Sequence, residues 1–99
     1  MPAKLIQYRT HASGTVENMR AVKAVFAELA DTAPDGLTYV VVRYGDRFLH
    51  IAEQAEGMAP LTRLAAFEAF RRTGPSLRVG EPVVDEIEII GLYQAARRT

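Results

Sequence analysis

Leu37-Thr38-Tyr39-Val40-Val41-Val42-Arg43-Tyr44-Gly45-Asp46-Arg47-Phe48-Leu49-His50-Ile51-Ala52-Glu53 reads as two strands folded back on each other. Both arms are rich in β-branched and aromatic residues, which suit a pleated, half-buried surface. Gly45-Asp46 supplies a two-residue turn, and glycine at its first central position points to type II′. A two-residue turn also sets the register. Arg43 then lies opposite Phe48, and Val41 opposite His50.

Upstream, Lys4 to His11 reads as a strand on the strength of Leu5, Ile6 and Tyr8, and Ala12-Ser13-Gly14 breaks it. Thr15 is placed to cap a helix from about Val16 to Ala30, with Glu17 in its first turn. Val16, Met19, Val22, Phe26 and Leu29 form its apolar stripe, and Pro34-Asp35-Gly36 ends the segment. Downstream, Glu56-Gly57 closes the hairpin's second arm. Pro60 suits the first turn of a helix, and Leu61, Leu64, Phe67 and Phe70 recur along it. Gly74-Pro75 reads as its stop, Ser76 to Pro82 as a loop, Val83 to Tyr93 as a last strand and Ala95 to Thr99 as a polar tail.

The order is β, α, β, β, α, β. This predicts an α+β domain of ferredoxin-like βαββαβ type, an antiparallel sheet with both helices on one face. Alternation predicts one sheet face with Ile6, Tyr8, Val40, Val42, Tyr44, Leu49, Ile51, Ile90 and Leu92. The other carries Leu5, Tyr39, Val41, Phe48, Ala52, Ile87, Ile89 and Tyr93. A sheet face left in water alternates to polar residues, and neither of these does. The helices cover one, so the second predicts a protein interface, most simply a twofold homodimer.

Composition narrows the function classes. The 99 residues suit a single domain spanning 1–99. They are 48% hydrophobic and 24% charged, too apolar for disorder. Twelve basic residues balance twelve acidic ones, and the basic clusters Arg71-Arg72 and Arg97-Arg98 are small, so nucleic acid is not expected as a partner. With no cysteine there is no disulfide or thiolate chemistry, which fits a cytoplasmic location. The first residues lack the apolar run of a signal peptide, and no stretch approaches the roughly 20 apolar residues of a membrane span.

The passage Arg47-Phe48-Leu49-His50-Ile51-Ala52-Glu53, the second helix around Leu64, Phe67 and Phe70, and the stretch Glu17-Asn18 through Val25-Phe26-Ala27-Glu28-Leu29 to Pro34-Asp35-Gly36-Leu37 resemble the dimeric α/β-barrel superfamily. Within it they resemble an uncharacterised branch of the antibiotic-biosynthesis-monooxygenase-like domains. The resemblance covers nearly the whole chain and lies in apolar spacing. It implies two sheets paired face to face in a dimer and an apolar pocket between sheet and helices. It also implies, for some members, oxidation of polyphenolic molecules by molecular oxygen without a cofactor. Better-studied members place Trp or Asn in the pocket. This chain has no Trp, and its one Asn is Asn18.

Alternation on the predicted strands places Gln7, Arg9, His11, Tyr39, Arg43 and His50 on one face. His50, flanked by Leu49 and Ile51, is the candidate base for a phenolic proton. Arg43 would stabilise the resulting anion and Tyr39 would orient it. Arg9, Phe48, Phe67 and Tyr93 are candidate substrate-binding residues, and Tyr8, Tyr44 and Phe70 are further aromatics for such a pocket. Each has a structural reading beside the functional one. His50 could be a hydrogen-bonded core or interface histidine, Arg9 and Arg43 could pair with carboxylates, and the aromatic residues could simply pack. His11 sits at a strand end. Two histidines and scattered carboxylates do not assemble a metal site, the glycines form no phosphate loop, and no cofactor is called for.

Two functions follow. One is a cofactor-independent monooxygenase-like enzyme acting on an aromatic or polyketide-type small molecule, with His50, Arg43 and Tyr39 converging on a pocket. The other is a non-catalytic homodimer that binds a small ligand or a protein, with no such convergence.

Overall fold

The computed structural model describes residues 2–54 and 61–94. Glu56-Gly57, Pro60, Arg97-Arg98 and the tail from Ala95 lie outside them. Four strands and two helices follow in the order β1 (Pro2–Thr10), α1 (Thr15–Thr32), β2 (Leu37–Tyr44), β3 (Arg47–Gln54), α2 (Ala65–Leu77) and β4 (Arg78–Glu88). Short 3₁₀ turns at Ala12–Gly14 and Leu61–Arg63 lead into the helices. The strands form one antiparallel sheet in the order β2-β3-β1-β4. This is the ferredoxin-like α+β arrangement that the element order predicts.

The hairpin has the expected register, with Arg43 opposite Phe48 and Val41 opposite His50. Gly45 has φ 59°, whereas Asp46 is not left-handed, which is the type II′ pattern. β1 then pairs with β3 so that Tyr8 faces Phe48 and Ile6 faces His50. Here the structure corrects the assignment of faces. Ile6 and Tyr8 lie with Tyr39, Val41, Phe48, His50 and Ala52, and Leu5 lies with Val40, Val42, Leu49 and Ile51. The reason is that β1 meets β3 through a long-range pairing with no turn to set it. A one-residue error in that pairing exchanges every side chain between faces.

The end of the chain is also corrected. α2 continues through Gly74 and Pro75 to Leu77. The proline removes one backbone donor but falls in the last turn, where the Ser76 hydroxyl donates to the Thr73 carbonyl. Residues read as a loop form the first half of β4. Arg9 pairs with Val79 and Gln7 with Val83, so β4 carries extra residues across this step, a bulge at Gly80-Glu81-Pro82. Gly80 has φ 73°, and Pro82 sits where regular pairing is interrupted, so the turn-like composition serves a strand. β4 ends at Glu88. Ile90 and Tyr93, read as its last residues, are 93% and 89% exposed.

Both helices pack on the Tyr8–Phe48 face. Val22 and Val25 from α1, Leu61 and Leu64 from the approach to α2, and Phe70 from α2 close one core over Tyr8 and Phe48. Val16 stands off the sheet at 59% exposure, so the buried stripe of α1 is centred on Asn18, Val22 and Val25. The opposite sheet face is uncovered in the single chain, with Val40, Val42 and Val83 between 41% and 54% exposed.

Candidate functional site

Tyr8 rises from the C-terminal half of β1, His50 from β3 and Tyr39 from β2, all toward the helices. Asn18 comes down from the first turns of α1. The Tyr8 hydroxyl lies 2.8 Å from His50 Nε2, and the Tyr39 hydroxyl 2.7 Å from His50 Nδ1. The Asn18 amide nitrogen donates to the Tyr8 oxygen at 2.9 Å. The result is one polar chain, Asn18–Tyr8–His50–Tyr39, threaded through an apolar core. Phe48 stacks on Tyr8, Phe26 on Tyr39, and the Phe70 ring centre is 5.5 Å from that of His50.

The Asn18 amide donates to Tyr8, and the two tyrosine–histidine bonds take their direction from the ring tautomer. With the proton on Nδ1 the ring donates to Tyr39 and Nε2 accepts from Tyr8, and with the proton on Nε2 both bonds run the other way. Asn18 Oδ1 and Arg78 Nε are buried without a hydrogen-bond partner among the described residues.

Burial dominates the electrostatics. His50 is 3% exposed, and its pKa is pushed down to about 4, first by loss of solvation and then by the positive charge of Arg78. The Arg78 guanidinium lies 5.5 Å from the centre of the Tyr8 ring. Burial raises the Tyr39 phenol well above its ordinary range, with a further contribution from Tyr8. Burial also raises Tyr8, against the opposing effects of the Asn18 hydrogen bond and Arg78. At neutral pH the three groups are therefore uncharged.

Two cavities of about 390 Å³ lie on this side of the sheet, lined by His50's cross-strand neighbours and not by His50 itself. One lies beneath α2, with Ile6, Ala52, Leu61 and Phe67 in its wall. Ile6 faces His50 directly across the strands. The other lies between α1 and β2, with Phe26, Val41, Arg43 and Phe48 in its wall.

Of the residues singled out in the sequence, His50 and Tyr39 are brought together. Arg43 is not with them: it is exposed at the strand end, and its Nη1 donates to the Gly45 carbonyl at 2.7 Å. Gln7 and Arg9 are on the opposite sheet face, and Arg9 pairs with Asp46 at 3.0 Å. Phe48 is core, Phe67 lines the chamber beneath α2, and Tyr93 lies beyond β4. His11 is exposed beside the 3₁₀ turn that precedes α1. Sequence reasoning missed Tyr8 and Asn18 as partners of His50, and Arg78 as the nearby charge. A polar Asn among apolar residues of α1 was the available signal for one of them. Among the described residues no group of three or more potential ligands could hold a metal, and no helix is long and apolar enough to cross a membrane.

No protein-family model matches the chain, and none of the curated proteins matches it by sequence. Solved structures do match. A Nitrosomonas europaea protein whose name ties it to the antibiotic biosynthesis monooxygenases superposes with a TM-score of 0.74 at 12% identity, over 94% of this chain and 100% of its own. Another structure named antibiotic biosynthesis monooxygenase gives 0.71 at 12% identity, over 92% and 100%. This chain has the antibiotic-biosynthesis-monooxygenase-like fold. The protein Rv0793 from Mycobacterium tuberculosis shares it, with a TM-score of 0.72 at 12% identity over 95% of this chain and 100% of its own. At such identities the likeness is one of fold, and activity has to be argued from the site.

Proposed function

We propose that this monooxygenase-like domain works as a homodimer that takes a small apolar molecule of aromatic type into the chamber beneath α2. The observation that carries this reading is the chamber itself. Its volume is within the roughly 300–1,000 Å³ usual for small-molecule sites, and Ile6, Ala52, Leu61 and Phe67 give it an apolar wall beside the His50 chain. Both ring nitrogens of His50 are already engaged by tyrosines, and the charged side chains in the chamber's lining are Lys4 and Glu86, both at exposed positions. The apolar face around Val40 and Val42 supports the dimer.

A catalytic reading rests on a different observation, the chain through His50. In that reading a phenol is oxidised by molecular oxygen to a quinone and water. One oxygen atom of O₂ enters the ring, the other leaves as water, and the substrate's phenolic proton is passed to the His50–Tyr39 pair. A pKa near 4 makes His50 a weak base, which supports the binding reading over the catalytic one.

Native mass spectrometry of the purified protein tests the first reading. A mass of two chains with a small molecule attached is expected, and a monomer would refute it. Oxygen uptake with a panel of dihydroxyarenes tests the second. Uptake abolished by His50→Ala, with the dimer retained, would establish catalysis, and no uptake by the wild type would refute it.

A further inference from the structure

The cavity between α1 and the edge strand β2 is separate from the chamber beneath α2. Val41, in its wall, and Ile6, in the wall of the other, face His50 from its two sides, so the histidine stands between them. Val22, Phe26, Val41 and Phe48 make the second cavity apolar. The charged residues at its lip are Lys23 and Arg43, both exposed, and no carboxylate is among its lining residues. Neither cation has an ion-pair partner among the described residues, and Asp46, close to Arg43 in sequence, is engaged by Arg9. The bond from Arg43 Nη1 to the Gly45 carbonyl holds the guanidinium at the strand end and leaves its other N–H groups available.

We propose that this groove binds a small amphiphilic anion, an aryl or alkyl carboxylate. Its hydrocarbon body lies against Phe26, Val41 and Phe48, and its carboxylate is received by Lys23 and Arg43. An apolar trough of about 390 Å³ whose lining includes two cations without an ion-pair partner among the described residues is complementary to such a ligand and discriminates against its neutral or cationic counterparts. The site is independent of the chamber beneath α2 and does not require it to be occupied.

The test is a titration of the full chain at low salt with naphthoate and with naphthamide, followed by backbone amide shifts. Naphthoate is expected to perturb Val22, Phe26, Val41 and Phe48 and to bind about tenfold more tightly than the amide. Lys23→Gln and Arg43→Gln, both at exposed positions that leave the core intact, should each weaken naphthoate about fivefold and leave naphthamide unchanged. Phe67→Leu, in the other chamber, should not alter naphthoate affinity. Equal affinity for acid and amide, insensitivity to Arg43→Gln, or shifts centred on Ile6, Ala52 and Phe67 would each overturn the proposal. The last result would leave the chamber beneath α2 as the site and so separates the two readings.

Discussion

Glu28, on α1, closes the start of α2: its carboxylate accepts the Ala66 amide at 2.8 Å and the Ala65 amide at 3.2 Å. Leu64, at the cap position of α2, has no side-chain oxygen to do this. A residue from another helix therefore satisfies two of the donors that every helix leaves free at its N-terminus. Its negative charge also complements the positive end of the helix dipole.

Glu28→Ala should cost about 1 kcal/mol of stability, with Glu28→Gln in between. Chemical denaturation measures the loss, and hydrogen exchange at Ala65 and Ala66 locates it. Unchanged exchange at those two amides would show that the contact does not act as a cap.

His50 should make stability depend on pH. Its folded pKa, about 4, lies below the ordinary 6.5, so the unfolded chain takes up a proton that the folded one refuses. The contribution is complete above pH 6.5 and is lost as pH falls toward 4. Over the whole window it amounts to on the order of 3 kcal/mol. Urea midpoints across this range should fall more steeply for the wild type than for His50→Gln. The ¹⁵N shifts of His50 at pH 7 should report a neutral ring. A charged ring at pH 6 would contradict the buried setting described above.

The uncovered sheet face gives a prediction on assembly. Val40 faces Ile51 across the β2–β3 pair, on the uncovered apolar face of the sheet. Val40→Lys should convert a dimer to a monomer in sedimentation equilibrium while leaving the circular dichroism of the fold intact. A dimer that survives this change is built on another surface.

Ala33 ends α1 in the left-handed region, φ 42°, with its N–H donated to the Leu29 carbonyl at 2.8 Å. A residue with a Cβ is strained there, and glycine is the usual occupant of this cap. Ala33→Gly should raise stability by about 1 kcal/mol, read as an increase in the denaturation midpoint at unchanged slope. A loss of stability would mean that the flexibility gained by the unfolded chain outweighs the relief of strain.

The amino-acid sequence alone determined the element order, the β2–β3 register and the turn at Gly45-Asp46, because these depend on residues close together in the chain. Local turn geometry places Val41 opposite His50 without help from the rest of the fold. Tertiary structure decided what lies beyond that reach. Nothing local tells Tyr8 from Leu5 as the inward residue of β1, since the pairing with β3 spans some forty residues and a one-step slip exchanges them. Nothing local shows that Gly80-Glu81-Pro82 is a bulge inside a strand, because its turn chemistry is the same in a loop. Asn18 and Tyr8 meet His50 only after α1 has been laid on the sheet. The neutrality of that histidine then follows from burial and from Arg78, which the packed structure creates and no spacing of residues encodes.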